Sequence, residues 1–134
     1  MDPQWNGGEI LRYRDGEVIF REGQQGSHLY FVLAGGVQIR KEGSQFASGL
    51  GKCEVGETFG EMSLVDSHPR SGTAIAVGDT EVVCYDRAGF FEAIRQEPEM
   101  AVRVIASLSG KLRKTDEDLQ KVRAAYLRSR TEST

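Results

Sequence analysis

The 134-residue sequence is poor in the residues that metal and covalent chemistry require. It has two cysteines, Cys53 and Cys84, and two histidines, and no two of these stand at a spacing typical of metal ligands. A metal-dependent enzyme on a small β scaffold needs clustered histidines and an acid. We therefore expect no metal, no cofactor and no enzymatic activity.

Long apolar runs and an excess of basic charge are also missing. The longest apolar run, Leu29 to Ala34, is too short to span a bilayer, and the N-terminus lacks the features of a signal peptide. We expect a cytoplasmic protein with reduced cysteines and no membrane partner. The net charge of -3 argues against nucleic acid as a partner of the chain by itself, so any anion site must be local.

Glycine is scarce in the last third of the chain. Fourteen of the 16 glycines precede Asp79, so the first part is rich in turns and the remainder can be helical. Short apolar or alternating segments in the first part predict strands at 10–13, 18–20, 29–33, 37–40, 46–53, 73–77 and 81–85. Gly35–Gly36 is predicted to close a tight hairpin, and Gly78–Asp79 is predicted to join the last two strands. This spacing predicts a mainly β fold, a jelly-roll or sandwich barrel, followed by helices.

The hydrophobic period becomes helical after residue 86. Asp86 is a predicted N-cap for a short helix over 87–96, and Pro98 is a predicted first residue for a long helix over 98–128. The predicted organisation is an N-terminal extension (1–8), one domain (9–128) whose β-roll covers 9–86, and a polar tail (129–134).

Seam residues recur along the long helix in alternating steps of four and three. They are Ala101, Ile105, Leu108, Leu112, Thr115, Leu119, Val122 and Tyr126. A seam of almost four heptads is typical of a parallel homodimer, although the same stripe could pack on the barrel of its own chain. Gly110 interrupts the helix at a cost of about 1 kcal/mol relative to alanine, as a hinge, a close approach or a tolerated residue.

A loop between predicted strands carries the strongest candidate site. Gly60 permits close approach of a ligand, and residues 61–64 can form a helical turn whose first amides bind an anion. Arg70 adds a planar cation that matches phosphate, and Ser71 adds a hydroxyl. Glu61 accepts hydrogen bonds from hydroxyls. Together they suit the sugar phosphate of a nucleotide, although Glu61 and Arg70 could instead form a structural ion pair.

The string Phe59-Gly60-Glu61-Met62-Ser63-Leu64, with Pro69-Arg70-Ser71 after it, resembles the phosphate-binding cassette of cyclic nucleotide-binding domains. These domains occur in catabolite activators, kinase regulatory subunits and gated channels, and the resemblance covers residues 9 to about 120. It implies that Glu61 binds the ribose 2′-hydroxyl and that Arg70 neutralises the cyclic phosphate. The other implied contacts are the amides of Gly60, Met62 and Ser63, the Ser71 side chain, and Thr115 with Asp116 at the purine.

By the same resemblance the chain is a regulatory sensor module. The implied ligand is cyclic AMP, with cyclic GMP less favoured, and the implied output is contact of the C-terminal helices with an unknown effector protein. The alternative is a ligand-free dimerisation or docking module of the same fold. Two departures from the family are Gly72, where alanine is usual, and the short stretch after Pro98, in which we expect no output domain.

Overall fold

The computed structural model describes residues 5–42 and 51–132. Within those ranges the chain forms six strands and three helices. The strands are β1 (Glu9–Tyr13), β2 (Val18–Phe20), β3 (His28–Arg40), β4 (Gly51–Cys53), β5 (Thr58–Phe59) and β6 (Thr73–Asp86). The helices are α1 (Glu61–Asp66), α2 (Arg87–Gln96) and α3 (Glu99–Glu132).

Two long strands hold the sheet together. β6 pairs antiparallel with β1, β2 and β3, and β3 also pairs with β4 and β5. α1 lies in the connection between β5 and β6, whereas α2 and α3 follow the sheet. The predicted fold class, mainly β with a short and then a long C-terminal helix, is confirmed.

The predicted hairpin at Gly35–Gly36 is wrong, because β3 continues through it, and the two strands predicted on either side of Gly78–Asp79 form the single strand β6. The pairing of β3 with β6 shifts register on both sides of Ala34. Gly35 and Gly78 both have φ of 74°, the left-handed conformation that a bulge can require. The glycines therefore bend two paired strands together instead of reversing the chain.

α2 begins at Arg87, as the sequence predicted, and α3 begins at Glu99, one residue after the predicted first residue. The Asp86 carboxylate accepts a hydrogen bond of 2.6 Å from the Gly89 N–H and caps α2. α3 follows Pro98 and continues to Glu132, so the predicted end at 128 was too early and part of the predicted tail is helical. Of the predicted strand over 46–53, residues 51–53 form β4 and residues 46–50 lie outside the described ranges.

The core lies on both faces of β3, because successive side chains of a strand point to opposite faces. Leu29 and Phe31 pack with Phe90 of α2 and Met100 of α3. Tyr30 and Val32 instead belong to a second cluster within the β-roll, with partners that include Val37, Phe59, Ala74 and Val82. β3 thus joins the layer that carries the helices to the layer that surrounds the candidate site.

Much of the predicted seam on α3 is uncovered. The exposed apolar members are Ile105, Leu112, Leu119, Val122 and Tyr126, with Leu112 being 72% exposed. These residues do not pack on the barrel of their own chain, which removes that alternative for them.

A Cβ at Gly110 would meet no atom of the described residues within 4 Å, so a close approach inside this chain does not explain that glycine. No helix in the described ranges has the length and apolar character needed to cross a membrane.

Asp86→Ala should destabilise the protein because it removes the side-chain acceptor at the start of α2. Loss of such a cap costs about 1 kcal/mol, which lowers the midpoint of thermal unfolding by about 4 °C in a domain of this size. Thermal unfolding followed by circular dichroism measures the change. Asp79→Ala, an exposed acid in β6, is the matched control; an equal loss of stability in both variants would contradict the capping role.

Candidate functional site: a buried arginine and an acid in one cavity

The seven site residues predicted from the sequence line one cavity of about 440 Å³. They are Gly60, Glu61, Met62, Ser63, Arg70, Ser71 and Thr115. Gly60 is the N-cap of α1, the next three residues begin that helix, Arg70 and Ser71 precede β6, and Thr115 belongs to α3. The volume falls within the range of small-molecule sites, about 300–1,000 Å³.

Arg70 is the buried cation of this cavity, and its residue is only 5% exposed. Nη1 donates to the Gly60 carbonyl at 3.1 Å, and Nη2 donates to the His28 carbonyl at 3.2 Å. Its Cζ lies 4.1 Å from the centroid of the Phe20 ring. Burial lowers the pKa of the guanidinium, which nevertheless stays charged at neutral pH.

No carboxylate in the described ranges forms an ion pair with Arg70. Backbone carbonyls and aromatic faces stabilise the cation in part, but they supply no full negative charge. Because a buried charge without a counter-charge is unfavourable, the position suits an anion supplied from outside the chain.

Two glycines make room for the guanidinium. A Cβ at Gly26 would lie 2.1 Å from Arg70 Nε, and a Cβ at Gly60 would lie 2.7 Å from Arg70 Nη1. Gly60 also has φ of 81°, which side chains rarely adopt. The sequence assigned Gly60 to the close approach of a ligand; the structure adds the close approach of Arg70.

Glu61 has a different partner from the one considered in the sequence. Its Oε1 accepts a hydrogen bond of 3.1 Å from Lys111 Nζ on α3, so the expected alternative, a Glu61–Arg70 ion pair, is wrong. Its Oε2 is buried and has no hydrogen-bond partner among the described residues. Since a carboxylate accepts several hydrogen bonds, Glu61 retains acceptor capacity.

The start of α1 has no side-chain cap within the described part of the chain, because Gly60 occupies the N-cap position. The first amides of α1 therefore lack the usual side-chain acceptor. The Ser63 hydroxyl donates to the His68 carbonyl at 2.9 Å. The group of Ser63 that can donate to an anion is therefore its backbone N–H. Met62 and Ser71 are both exposed at the cavity.

α3 forms the facing wall of the cavity. Thr115 lines it, and its hydroxyl donates to the Lys111 carbonyl at 2.9 Å. Asp116, the second residue implied at the purine, does not line this cavity and accepts a hydrogen bond from Gln120. Lys114 and Asp118, one helical turn apart, line it instead.

Several residues of the site were missed by sequence reasoning. Lys111 lies four residues before Thr115, and that spacing on one helical face could have identified it. Phe20 and the His28 carbonyl have no comparable local signal, because strand pairing brings them to Arg70. Cys53 also lines the cavity, where burial raises the pKa of its thiol to about 11 and keeps it protonated at neutral pH.

The antiparallel β-roll, the loop that begins α1 and the facing helix α3 together enclose the cavity. The sequence profile of the cyclic nucleotide-binding domain matches residues 10–97, and the chain belongs to this family. Among the described residues, no group of three or more His, Cys, Asp or Glu side chains could hold a metal ion.

Curated relatives and solved structures agree with this assignment. The cyclic AMP receptor protein of Thermus thermophilus is 38% identical over 109 residues, which are 80% of this chain and 50% of that protein. The cAMP-dependent protein kinase regulatory subunit of Debaryomyces hansenii is 35% identical over 78 residues, 58% of this chain and 17% of that protein. The crystal structure of Thermus thermophilus catabolite activator protein has a TM-score of 0.73 at 34% identity, covering 90% of this chain and 57% of that chain. The chain thus spans half or less of the length of these two curated relatives.

Gly26→Ala should displace the Arg70 guanidinium, because the new methyl group would overlap Nε. Overpacking of this kind costs about 1–3 kcal/mol, so we expect a lower midpoint of thermal unfolding. Gly36→Ala is the matched control, since its Cβ would lie 3.4 Å from the nearest atom, the Cys53 carbonyl oxygen. Wild-type stability of Gly26→Ala would contradict the packing described for Arg70.

Proposed function

We propose that the protein is a regulatory module that binds a cyclic nucleotide in the cavity between α1 and α3. The observation that carries the proposal is the buried Arg70 guanidinium, which has no carboxylate partner among the described residues. A cyclic phosphate supplies one negative charge and two oxygens that match the planar fork of arginine. Membership of the cyclic nucleotide-binding family supports this choice of anion.

The remaining site residues take complementary roles in the proposed complex. Glu61 accepts from the ribose 2′-hydroxyl, because an ionised carboxylate binds hydroxyls and repels phosphate. The Thr115 hydroxyl, on the facing helix, contacts the purine. The amides of Gly60, Met62 and Ser63 and the hydroxyl of Ser71 complete the phosphate contacts, and all of these residues line the cavity.

Cyclic AMP is the proposed ligand, in preference to cyclic GMP. Similarity to a cyclic AMP receptor protein and to the regulatory subunit of a cAMP-dependent kinase supports this preference. The same similarity supports a cytoplasmic location and a non-enzymatic role. The net charge of -3 gives the chain no general attraction for nucleic acid or for an anionic membrane.

We propose that α3 transmits the effect of ligand binding to other proteins. Lys111 and Thr115 line the cavity from this helix, whereas Leu119, Val122 and Tyr126 are exposed farther along it. A shift of α3 on binding would therefore move these exposed seam residues, here called the exposed stripe, relative to the barrel. The ligand can drive such a shift only through different affinities for the two positions. We propose that the stripe forms a homodimer and that an effector protein contacts the helical surface.

Arg70→Ala should abolish most of the affinity for cyclic nucleotide, because it removes the only buried cation among the described residues that line the cavity. Loss of one charge-assisted pair costs about 2–4 kcal/mol, or roughly 30-fold to 1,000-fold in Kd. Isothermal titration calorimetry with cyclic AMP and cyclic GMP measures the effect. We expect wild type to bind cyclic AMP more tightly.

Arg12→Ala is the matched control, since Arg12 is an exposed arginine paired with Glu81 on the sheet. It should bind as wild type does. Absence of heat with both nucleotides in wild type, together with an unchanged unfolding midpoint at millimolar nucleotide, would contradict the proposal.

That outcome would instead favour the alternative, a ligand-free dimerisation or docking module of the same fold. Two observations favour this second candidate. Lys111 already occupies one oxygen of Glu61, and the exposed stripe on α3 needs no ligand to associate.

Leu119→Asn should weaken the proposed dimer, because it places an amide in the centre of the exposed stripe. Sedimentation equilibrium should show a dimer for wild type and a shift toward monomer for the variant. Gln120→Asn, at the neighbouring position outside the seam, is the control and should remain dimeric. A monomeric wild type at all concentrations tested would contradict dimerisation through α3.

A further inference from the structure

Polar contacts hold α3 against the short strand that leads into the site. The Ser107 hydroxyl oxygen accepts from the Thr58 N–H at 3.0 Å, and Lys111 Nζ donates to the Thr58 carbonyl. Ser107 and Lys111 are four residues apart and so lie on one face of α3. Both backbone groups of Thr58, a fully buried residue of β5, are therefore bound by the helix.

Lys111 extends this attachment to the functional acid. The same Nζ donates to Glu61 Oε1 at 3.1 Å, so one ammonium group joins α3 both to β5 and to α1. β5 ends at Phe59, and Gly60 and Glu61 follow it directly. One side chain thus links the position of α3 to the position of Gly60 and Glu61.

In this arrangement Lys111 occupies the group that a ribose hydroxyl would use. The Glu61 side chain is only 13% exposed, and its second oxygen is buried without a partner in the described part of the chain. A sugar hydroxyl that binds Oε1 must share that oxygen with the lysine or displace it. The Lys111 side chain is 34% exposed and flexible, so it has a route to solvent.

We infer that Lys111 is a positioning residue that competes with the nucleotide for Glu61 and thereby ties the position of α3 to the occupancy of the site. The inference rests on the proposed function, since it assumes that a ribose hydroxyl binds Glu61. In the structure Lys111 pairs with Glu61 and holds α3 on β5. When the 2′-hydroxyl binds Glu61, the ammonium group leaves the carboxylate and one of the attachments of α3 is lost.

The test compares cyclic AMP with 2′-deoxy cyclic AMP, which lacks the competing hydroxyl, on wild type and on Lys111→Met. Methionine keeps the length and apolar stem of the side chain but cannot donate to Glu61. Removal of the competitor should tighten cyclic AMP binding by about fivefold. The affinity for the 2′-deoxy analogue should change much less, because that ligand does not need Glu61.

Lys111→Arg provides a second, opposite result that does not depend on the folding of Lys111→Met. A guanidinium can pair with a carboxylate through two hydrogen bonds, so cyclic AMP should bind more weakly than it binds wild type. Lys114→Met is the matched control, because Lys114 also lines the cavity whereas Lys111 is the lysine bonded to Glu61. It should change the affinity for both ligands by the same factor.

The outcomes separate this inference from the proposed function. Weaker or unchanged cyclic AMP binding by Lys111→Met, with wild-type binding still lost in Arg70→Ala, overturns the competition and leaves nucleotide binding intact. Equal tightening for both ligands also overturns it, because a general loss of charge would then explain the change. Failure of wild type to bind either nucleotide overturns both.

Discussion

A buried guanidinium with no carboxylate partner in the described ranges organises the residues around the cavity. Arg70 reaches its position because Gly26 and Gly60 present no side chain to it, and because two backbone carbonyls and the Phe20 ring accept it. Carbonyl dipoles and aromatic faces offset part of the cost of burying a cation, but the net positive charge remains. The loop is therefore built around a charge that the proposed anionic ligand would neutralise.

The facing wall of the cavity belongs to the longest helix of the chain, and this has a mechanical consequence. α3 contacts β5 and Glu61 through Ser107 and Lys111 in its first half, while its later apolar residues remain exposed. A movement of the first half of a rigid helix also moves its second half. One element thus carries both the proposed sensing contacts and the proposed interaction surface, and neither role needs a separate connecting segment.

The candidate site could be predicted largely from local sequence, whereas its internal pairing could not. The order of Gly60, Glu61, Arg70 and Ser71 was sufficient to place them in one cavity, because a short helix and a loop connect them. The partner of Glu61 was missed because Lys111 lies 50 residues away along the chain. The predictions at Gly35 and Gly78 failed for a related reason. Both glycines lie within strands that stay paired with each other, and the pairing of a strand depends on a partner far away in the sequence.

Sequence alone determined the features that depend on neighbours within one or two helical turns. The Asp86 cap, the change from strand to helix after it, and the apolar stripe of α3 follow from residue type and spacing. Tertiary structure decided which groups share the cavity, since the register of β2, β3 and β6 brings Phe20 and the His28 carbonyl to Arg70. It also decided that the acid and the arginine stay unpaired with each other. Both outcomes arise from long-range packing, because the partner of a residue depends on which groups the fold brings close to it and not on distance along the chain.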